Sequence, residues 1–145
     1  MLQRCENPND PAYPRYGGRG ISVCFLWHNY WTFRRWAISK GYADNLTIDR
    51  RDNNLGYCPE NCRWATKAQQ NQNRRVRSSS PYKGVGPSGL KWQAHICLEG
   101  ERKYLGTFET AEDAARAYDS EAVRLFKEFA FLNFPQALTQ DTQAG

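Results

Sequence analysis

Between Lys91 and Leu98 apolar and polar side chains alternate without a break. Trp92, Ala94, Ile96 and Leu98 fall on one side; Gln93, His95 and Cys97 fall on the other. A period of two is the signature of a strand buried on one face, and it is incompatible with a helix. Glu99-Gly100-Glu101 then reads as a hairpin turn, so Arg102 to Phe108 returns as a second strand, and Tyr82 to Gly86 reads as a short strand ahead of both. Thr110 is placed to cap a helix, with Asp113 three residues on completing a capping box. Ala111, Ala114, Ala115, Tyr118, Ala122, Leu125 and Phe126 follow at three- and four-residue steps, which predicts a helix from Ala111 to Lys127. Its alanine-rich face lets it sit close on a sheet. The fold class expected is α+β, with a three-stranded antiparallel sheet packed on one α-helix.

The first half is organised by turns. Asn7-Pro8-Asn9-Asp10-Pro11 is a turn cluster, and Tyr16-Gly17-Gly18-Arg19-Gly20 needs backbone angles that glycine adopts cheaply. Ile21 to Cys24 is a candidate short strand. From Leu26 to Lys40, Trp27, Tyr30, Trp31, Phe33, Trp36 and Ala37 recur at helical spacing and read as core, with Gly41 closing the helix. Arg74-Arg75-Val76-Arg77-Ser78-Ser79-Ser80-Pro81 is polar, lacks an apolar period and ends in proline, as linkers do. The expected organisation is therefore a domain over 1–73, a basic and serine-rich linker over 74–81, a second domain over 82–135 and a flexible tail over 136–145.

Charge is distributed unevenly. Up to Arg77 there are 13 basic and 6 acidic residues; from Ser78 onward there are 7 and 9. A basic first half suits a polyanionic partner. Within the second half, the strands and first hairpin carry Lys83, Lys91, Arg102 and Lys103, whereas the helix carries Glu112, Asp113, Asp119 and Glu121. That polarity aims the sheet, not the helix, at a nucleic acid. No apolar run approaches the roughly 18–20 residues that cross a bilayer, and the N-terminus lacks the apolar stretch of a signal peptide. A cytoplasmic monomer with no membrane partner and no small-molecule cofactor is expected, in a bacterial or phage-infected cell, or a nuclear one if the cell is eukaryotic. The five cysteines are odd in number, which argues against a disulfide framework. Cys58 and Cys62, with Cys5 and Cys24, are read as scattered small residues, and no structural zinc is expected.

Five separated blocks carry a family resemblance. They are Tyr82-Lys83-Gly84-Val85, Lys91 to Ile96, Tyr104-Leu105-Gly106-Thr107-Phe108, Thr110 to Asp119, and Leu132-Asn133-Phe134-Pro135. In order and spacing they resemble the APETALA/ethylene-response-factor (AP/ERF-type) DNA-binding domain over essentially all of 81–135. The resemblance implies a sheet lying in the major groove of double-stranded DNA, where each base pair shows a distinct donor and acceptor pattern. It implies DNA contacts from Lys83, Lys91, Gln93, Arg102, Tyr104 and Tyr118. Lys83 and Arg102 would meet phosphates or guanine edges, and Tyr104 would pack on sugar or base. Gly86 and Cys97 stand where plant members commonly carry arginine, so a plant-type target preference does not transfer.

In the first half, Tyr16 to Cys24 and Leu46 to Thr66 resemble a phage-type HNH homing endonuclease domain over about 3–75, with a start that looks shortened. The resemblance implies a small ββα-type domain whose hairpin and helix hold one divalent cation, Mg²⁺ or Mn²⁺, against the scissile phosphate. Asp49 is the implied carboxylate ligand and Asn71 the second ligand, with Asn73 or Gln70 as substitutes; Asn61 would brace the intervening loop. The histidine general base of the pattern is replaced by Arg50, which stays protonated. Three possibilities stand. Arg50 stabilises phosphate charge while a metal-bound water ionises unaided; Asp52 serves as base; or the domain is a DNA clamp without catalysis. The expected function is sequence-directed double-stranded DNA binding as a metal-dependent HNH-type endonuclease. The alternative is a catalytically inactive DNA-binding protein or transcription regulator. A third reading is RNA binding through the aromatic stripe.

Overall fold

Turn chemistry governs the start of the chain in the computed structural model, which describes residues 1–76 and 80–135. After a short helix α1 (Leu2–Glu6), the Asn7 side chain accepts from the Asn9 backbone and the Asp10 side chain from that of Ala12. Two turns of 3₁₀-helix follow at Tyr13–Arg15 and Gly17–Arg19. The chain forms two compact units, Met1–Gln70 and Asn71–Gly145. The expected tail and linker residues 77–79 lie outside the described residues.

In the first unit the candidate strand Ile21–Cys24 shrinks to one bridge, Val23 to Tyr57, in which Tyr57 N–H donates to the Ser22 carbonyl and Cys24 N–H to the Tyr57 carbonyl. The aromatic stretch is not one helix. A 3₁₀ turn at Phe25–His28 stops at Asn29, whose side chain caps a new helix α2 (Tyr30–Ser39) by accepting from the backbone N–H groups of Trp31 and Thr32. Gly41 N–H donates to the Ile38 carbonyl and Tyr42 N–H to that of Ala37, the Schellman ending that a glycine after the last turn favours. The break at Asn29 resets the helical phase. Trp27, Trp36 and Ala37 enter a core with Cys5, Ile21, Val23, Tyr57 and Cys62, with Phe33 packed against it, while Tyr30 and Trp31 turn to solvent. An antiparallel hairpin, β1 (Thr47–Arg50) and β2 (Cys62–Ala65), leads into a short helix α3 (Lys67–Gln72).

The second unit is a three-stranded antiparallel sheet of order β3 (Val85–Ser88), β4 (Lys91–Leu98) and β5 (Glu101–Phe108). The hairpin between β4 and β5 turns through Glu99 (φ 51°) and Gly100 (φ 88°), the positive pair that a right-twisted hairpin requires. Helix α4 (Ala111–Phe126) packs on one face of the sheet. Thr110 caps it by accepting from Asp113 N–H at 3.1 Å, and its hydroxyl donates to the Asp113 carboxylate at 2.8 Å. Ala94, Ala114, Ala115 and Ala122 have no exposed surface at all. Their missing side-chain bulk brings helix and sheet into close contact. Trp92, Ala94 and Ile96 face α4 as the alternation predicts, but Leu98, at the sheet's end, is left exposed.

The pairing of β4 with β5 slips by one residue. Ala94 pairs with Gly106 but His95 pairs with Tyr104, so Leu105 is an extra residue on β5. Leu105 packs into the core beneath the sheet. The segment after α4 is fastened from below. Asp119, buried, accepts from the backbone N–H groups of Asn133 and Phe134, and the Asn133 side chain bridges the Lys83 N–H and carbonyl.

Candidate nucleic-acid interface

The face of the sheet turned away from α4 is set by the pairing register. Gly86, Gln93 and Thr107 lie side by side across the three strands; His95 pairs with Tyr104, and Cys97 with Arg102. The Arg102 guanidinium donates toward His95 Nδ1 at 3.2 Å, and the His95 and Tyr104 rings lie 5.3 Å apart. Burial and the neighbouring Arg102 charge push the His95 pKa down, which favours the neutral ring with Nδ1 accepting. Tyr104 hydroxyl and Thr107 Oγ1 share a hydrogen bond. Tyr104 is 55% exposed. The outer face is therefore a polar strip of amide, imidazole, guanidinium, phenol and hydroxyl groups. Such groups can donate to and accept from base edges or phosphates.

The strip is less cationic than the sequence implies. Lys103 is carried to the α4 side by its pairing with Ile96, and its Nζ lies 2.7 Å from the Glu121 carboxylate. Glu121 also takes Arg124, and the two cations hold its carboxyl down to about 2. Lys91 is on the outer side, ion-paired with Glu109. Lys83, expected on the DNA, is turned elsewhere. Its ammonium donates to the carbonyls of Gln72 and Arg74, the latter at 2.8 Å, and lies 5.2 Å from the Phe131 ring centre. Carbonyls at the end of a helix have no partner within it and attract such a cation. Burial, with Arg74 nearby, lowers the Lys83 pKa to about 8. The same bonds fasten residues 72–74 to the second unit, where the sequence suggests the approach to a solvated linker.

Tyr118 is also corrected. It is 3% exposed and belongs to the core with Ile96, Ala122 and Phe126. Gly84 makes room for it. At φ +76° a side chain there would be strained, and its Cβ would stand 2.1 Å from the Tyr118 ring. Buried in this way, the phenol is held well above its ordinary pKa.

In the first unit, Asp49 is buried on β1 and its Oδ2 accepts from Arg63 Nε of β2 at 3.0 Å. Arg50 is buried too. Its guanidinium donates to the carbonyls of Asn53 and Leu55 and stacks near the Tyr16 and Tyr57 rings. Arg4 reaches the same rings and donates to the Tyr57 hydroxyl at 2.6 Å; burial nonetheless pushes that hydroxyl up to about 12. The Asn61 amide spans the 52–56 loop, donating to the Asp52 and Gly56 carbonyls and accepting from Asp52 N–H. Gln70 donates to the Ile48 carbonyl, Asn71 is exposed on α3, and Asn73 is buried. Asp49 is the carboxylate that the endonuclease resemblance assigns to a divalent cation. The carboxylate is already neutralised by a buried guanidinium, and no cluster of three or more His, Cys, Asp or Glu that could hold a metal occurs among the described residues.

No family model matches the chain. Curated relatives match up to half of the chain.

The relatives are AP2/ERF transcription factors.

The chain is 45% identical over 64 residues to Dehydration-responsive element-binding protein 2D of Arabidopsis thaliana, covering 42% of this chain and 31% of the relative. It is 51% identical over 75 residues to Dehydration-responsive element-binding protein 2E of Oryza sativa subsp. japonica, covering 50% and 24%. It is 44% identical over 61 residues to the AP2/ERF and B3 domain-containing transcription factor RAV1 of Arabidopsis thaliana, covering 41% and 18%. The chain thus spans under a third of the length of these relatives. They support an AP2/ERF-like domain; the endonuclease reading draws nothing from them.

His95 and Thr107 also lie on the outer face of the AP2/ERF-like sheet, beside the residues that the sequence assigns to it. His95 was legible, since strand parity puts it between Gln93 and Cys97. Thr107 was not, because the extra residue in β5 fixes which side chains of that strand share its face.

Proposed function

We propose that this chain is a sequence-directed double-stranded DNA-binding protein that acts as a transcription regulator by occupying its site, not by cutting it. The observation that carries this reading is the outer strip of the AP2/ERF-like sheet, with Arg102, His95, Tyr104, Gln93 and Thr107 side by side and away from the helix. The similarity to proteins named as an element-binding protein and as a transcription factor supports it. Laid in a major groove, Arg102 donates to a guanine edge or a phosphate, and Tyr104 packs on sugar or base. In a eukaryotic cell such a protein works in the nucleus; no helix among the described residues is long and apolar enough to cross a membrane.

The test is selection of a preferred duplex from a randomised pool, then titration of that duplex against salt. Arg102→Ala is expected to weaken binding and, if Arg102 meets a phosphate, to reduce the log-log salt slope by about 0.9. Unchanged affinity and slope for both Arg102→Ala and Tyr104→Ala would reject the sheet as the contact surface.

The hairpin-then-helix order of β1, β2 and α3, with the Asn61 bracket, favours the second reading, a metal-dependent endonuclease. The Asp49–Arg63 pair weighs against it. Incubation with supercoiled plasmid and Mg²⁺ or Mn²⁺ separates the two: nicking that Asp49→Ala abolishes, with the fold intact, establishes the nuclease.

A further inference from the structure

Helix α2 leaves much of its aromatic surface outside the core. Tyr30 is 64% exposed and Trp31 68%, and Phe25 and Leu26 of the preceding turn are exposed as well. The two rings stand 5.3 Å apart at 69°, edge to face and not stacked parallel, and both keep most of their surface open to solvent. One helical turn on, Arg34 and Arg35 are also exposed, and so is Lys40 at the end of the helix. Residues three and four apart share a helix face, with Cβ atoms roughly 5–6 Å apart. Tyr30 is thus matched with Arg34, and Trp31 with Arg35 and, further along, Ile38.

The electrostatics point one way. No acidic residue occurs between Asp10 and Asp44, a span that contains Arg15, Arg19, Arg34, Arg35 and Lys40. Glu6, which reaches the turn, is paired with His28 at 2.7 Å. The partner is therefore anionic, and it must also offer flat apolar surface to exposed rings.

We propose that this face of α2 binds single-stranded DNA, with unpaired bases stacking on Trp31 and Tyr30 while Arg34 and Arg35 neutralise the phosphates that follow. Bases inside a duplex have both faces covered by their neighbours, so free-standing rings select strands whose bases are unstacked. Interleaved rings and cations are the chemistry of a single-strand platform. An acidic membrane asks for something different, an apolar face segregated from a charged one. Here the apolar side of α2, with Phe33, Trp36 and Ala37, is used by the unit's own core, and the outer side mixes ring with guanidinium. The choice of DNA over RNA rests on the duplex-DNA reading of the AP2/ERF-like sheet. The surface itself does not, since it belongs to the other unit.

The experiment uses the full chain and fluorescent oligothymidylate, with Trp31→Ala, Arg35→Ala and the conservative Trp31→Phe. These side chains are exposed, so the variants keep the fold, which circular dichroism verifies. Trp31→Ala is expected to weaken oligothymidylate binding roughly 5- to 150-fold, the range of one base–aromatic stack. Trp31→Phe retains most of the affinity, and saturation with oligothymidylate quenches Trp31 fluorescence. Binding of the selected duplex is unchanged by Trp31→Ala, whereas Arg102→Ala lowers duplex binding and spares oligothymidylate, so the two surfaces succeed or fail separately. Equal oligothymidylate affinity for wild type and Trp31→Ala, or no binding by either, overturns the proposal. Tighter binding of oligouridylate than of oligothymidylate, or a Trp31-dependent loss seen only on phosphatidylserine vesicles, overturns DNA as the occupant.

Discussion

Replacing Arg63 by alanine takes a buried guanidinium away from the buried Asp49 carboxylate, and the outcome separates a structural from a catalytic Asp49. Asp49 is 4% exposed and Arg63 7%, with Nε and Oδ2 3.0 Å apart. At that distance and an effective dielectric near 20, Coulomb's law gives about 5.5 kcal/mol of attraction for a 3.0 Å pair. Desolvation of the two groups offsets much of this, so the pair adds little net stability over a well-packed apolar pair. Removing only one partner is another matter, because the survivor stays buried and charged; the expected cost is about 3–5 kcal/mol. In a domain of this size each kcal/mol moves Tm by about 4–8 °C, so Arg63→Ala lowers it by at least about 12 °C. The assay is urea unfolding followed by tryptophan fluorescence. Trp27, Trp31, Trp36 and Trp64 lie in the first unit, where Trp27, Trp36 and Trp64 are in or against the core, and Trp92 alone lies in the second. Asp49→Asn should cost nearly as much as Arg63→Ala, and the double replacement Asp49→Leu with Arg63→Met should recover most of the loss. A cost below about 1 kcal/mol for both single variants would refute this reasoning.

Three further outcomes are expected. Gly84→Ala forces a side chain into the Tyr118 ring at a positive φ and should destabilise the second unit by about 2 kcal/mol or more in denaturant titrations followed at Trp92. Thr110→Ala removes the α4 cap and should cost about 1 kcal/mol by the same measurement, with Thr110→Ser restoring it. Lys83 titrates at about 8 in the fold against 10.5 when free. From about pH 8 upward the unfolded chain holds the proton that the folded one has lost, so the second unit should gain stability between about pH 8 and 10. Lys83→Met should lack that rise when urea midpoints are compared across the window.

The second unit was legible because its signals are local. The alternation of Lys91–Leu98, the Thr110–Asp113 cap and the alanine steps of α4 each follow from near neighbours, and the helix ends at Phe126, one residue from its expected close. The fate of Lys83 and Tyr118 depends on distant partners. The Gln72 and Arg74 carbonyls draw the lysine aside, and the space over Gly84 admits the phenol. No spacing along the chain announces either. In the first unit, spacing misled where a single side chain intervened. The stripe from Leu26 to Lys40 assumed one continuous helical phase; Asn29 interrupts it, and Tyr30 and Trp31 consequently miss the core. Asp49 stands out in the sequence by its acidity, but a partner it binds sits across the hairpin at Arg63.

The supernumerary Leu105 has a consequence for how such a surface changes over time. Because it shifts parity, Tyr104 and Arg102 emerge on the solvent side while Lys103 is drawn under toward Glu121. Excising the Leu105 codon would join Tyr104 directly to Gly106 and restore simple alternation, with Tyr104 and Arg102 still outward and Lys103 still inward, losing only the leucine beneath the sheet. The same loss within the regular part of the ladder would slip the strand by one and exchange its two faces. The extra residue thus marks the one kind of place in such a strand where an amino acid can be lost while its outward chemistry is kept.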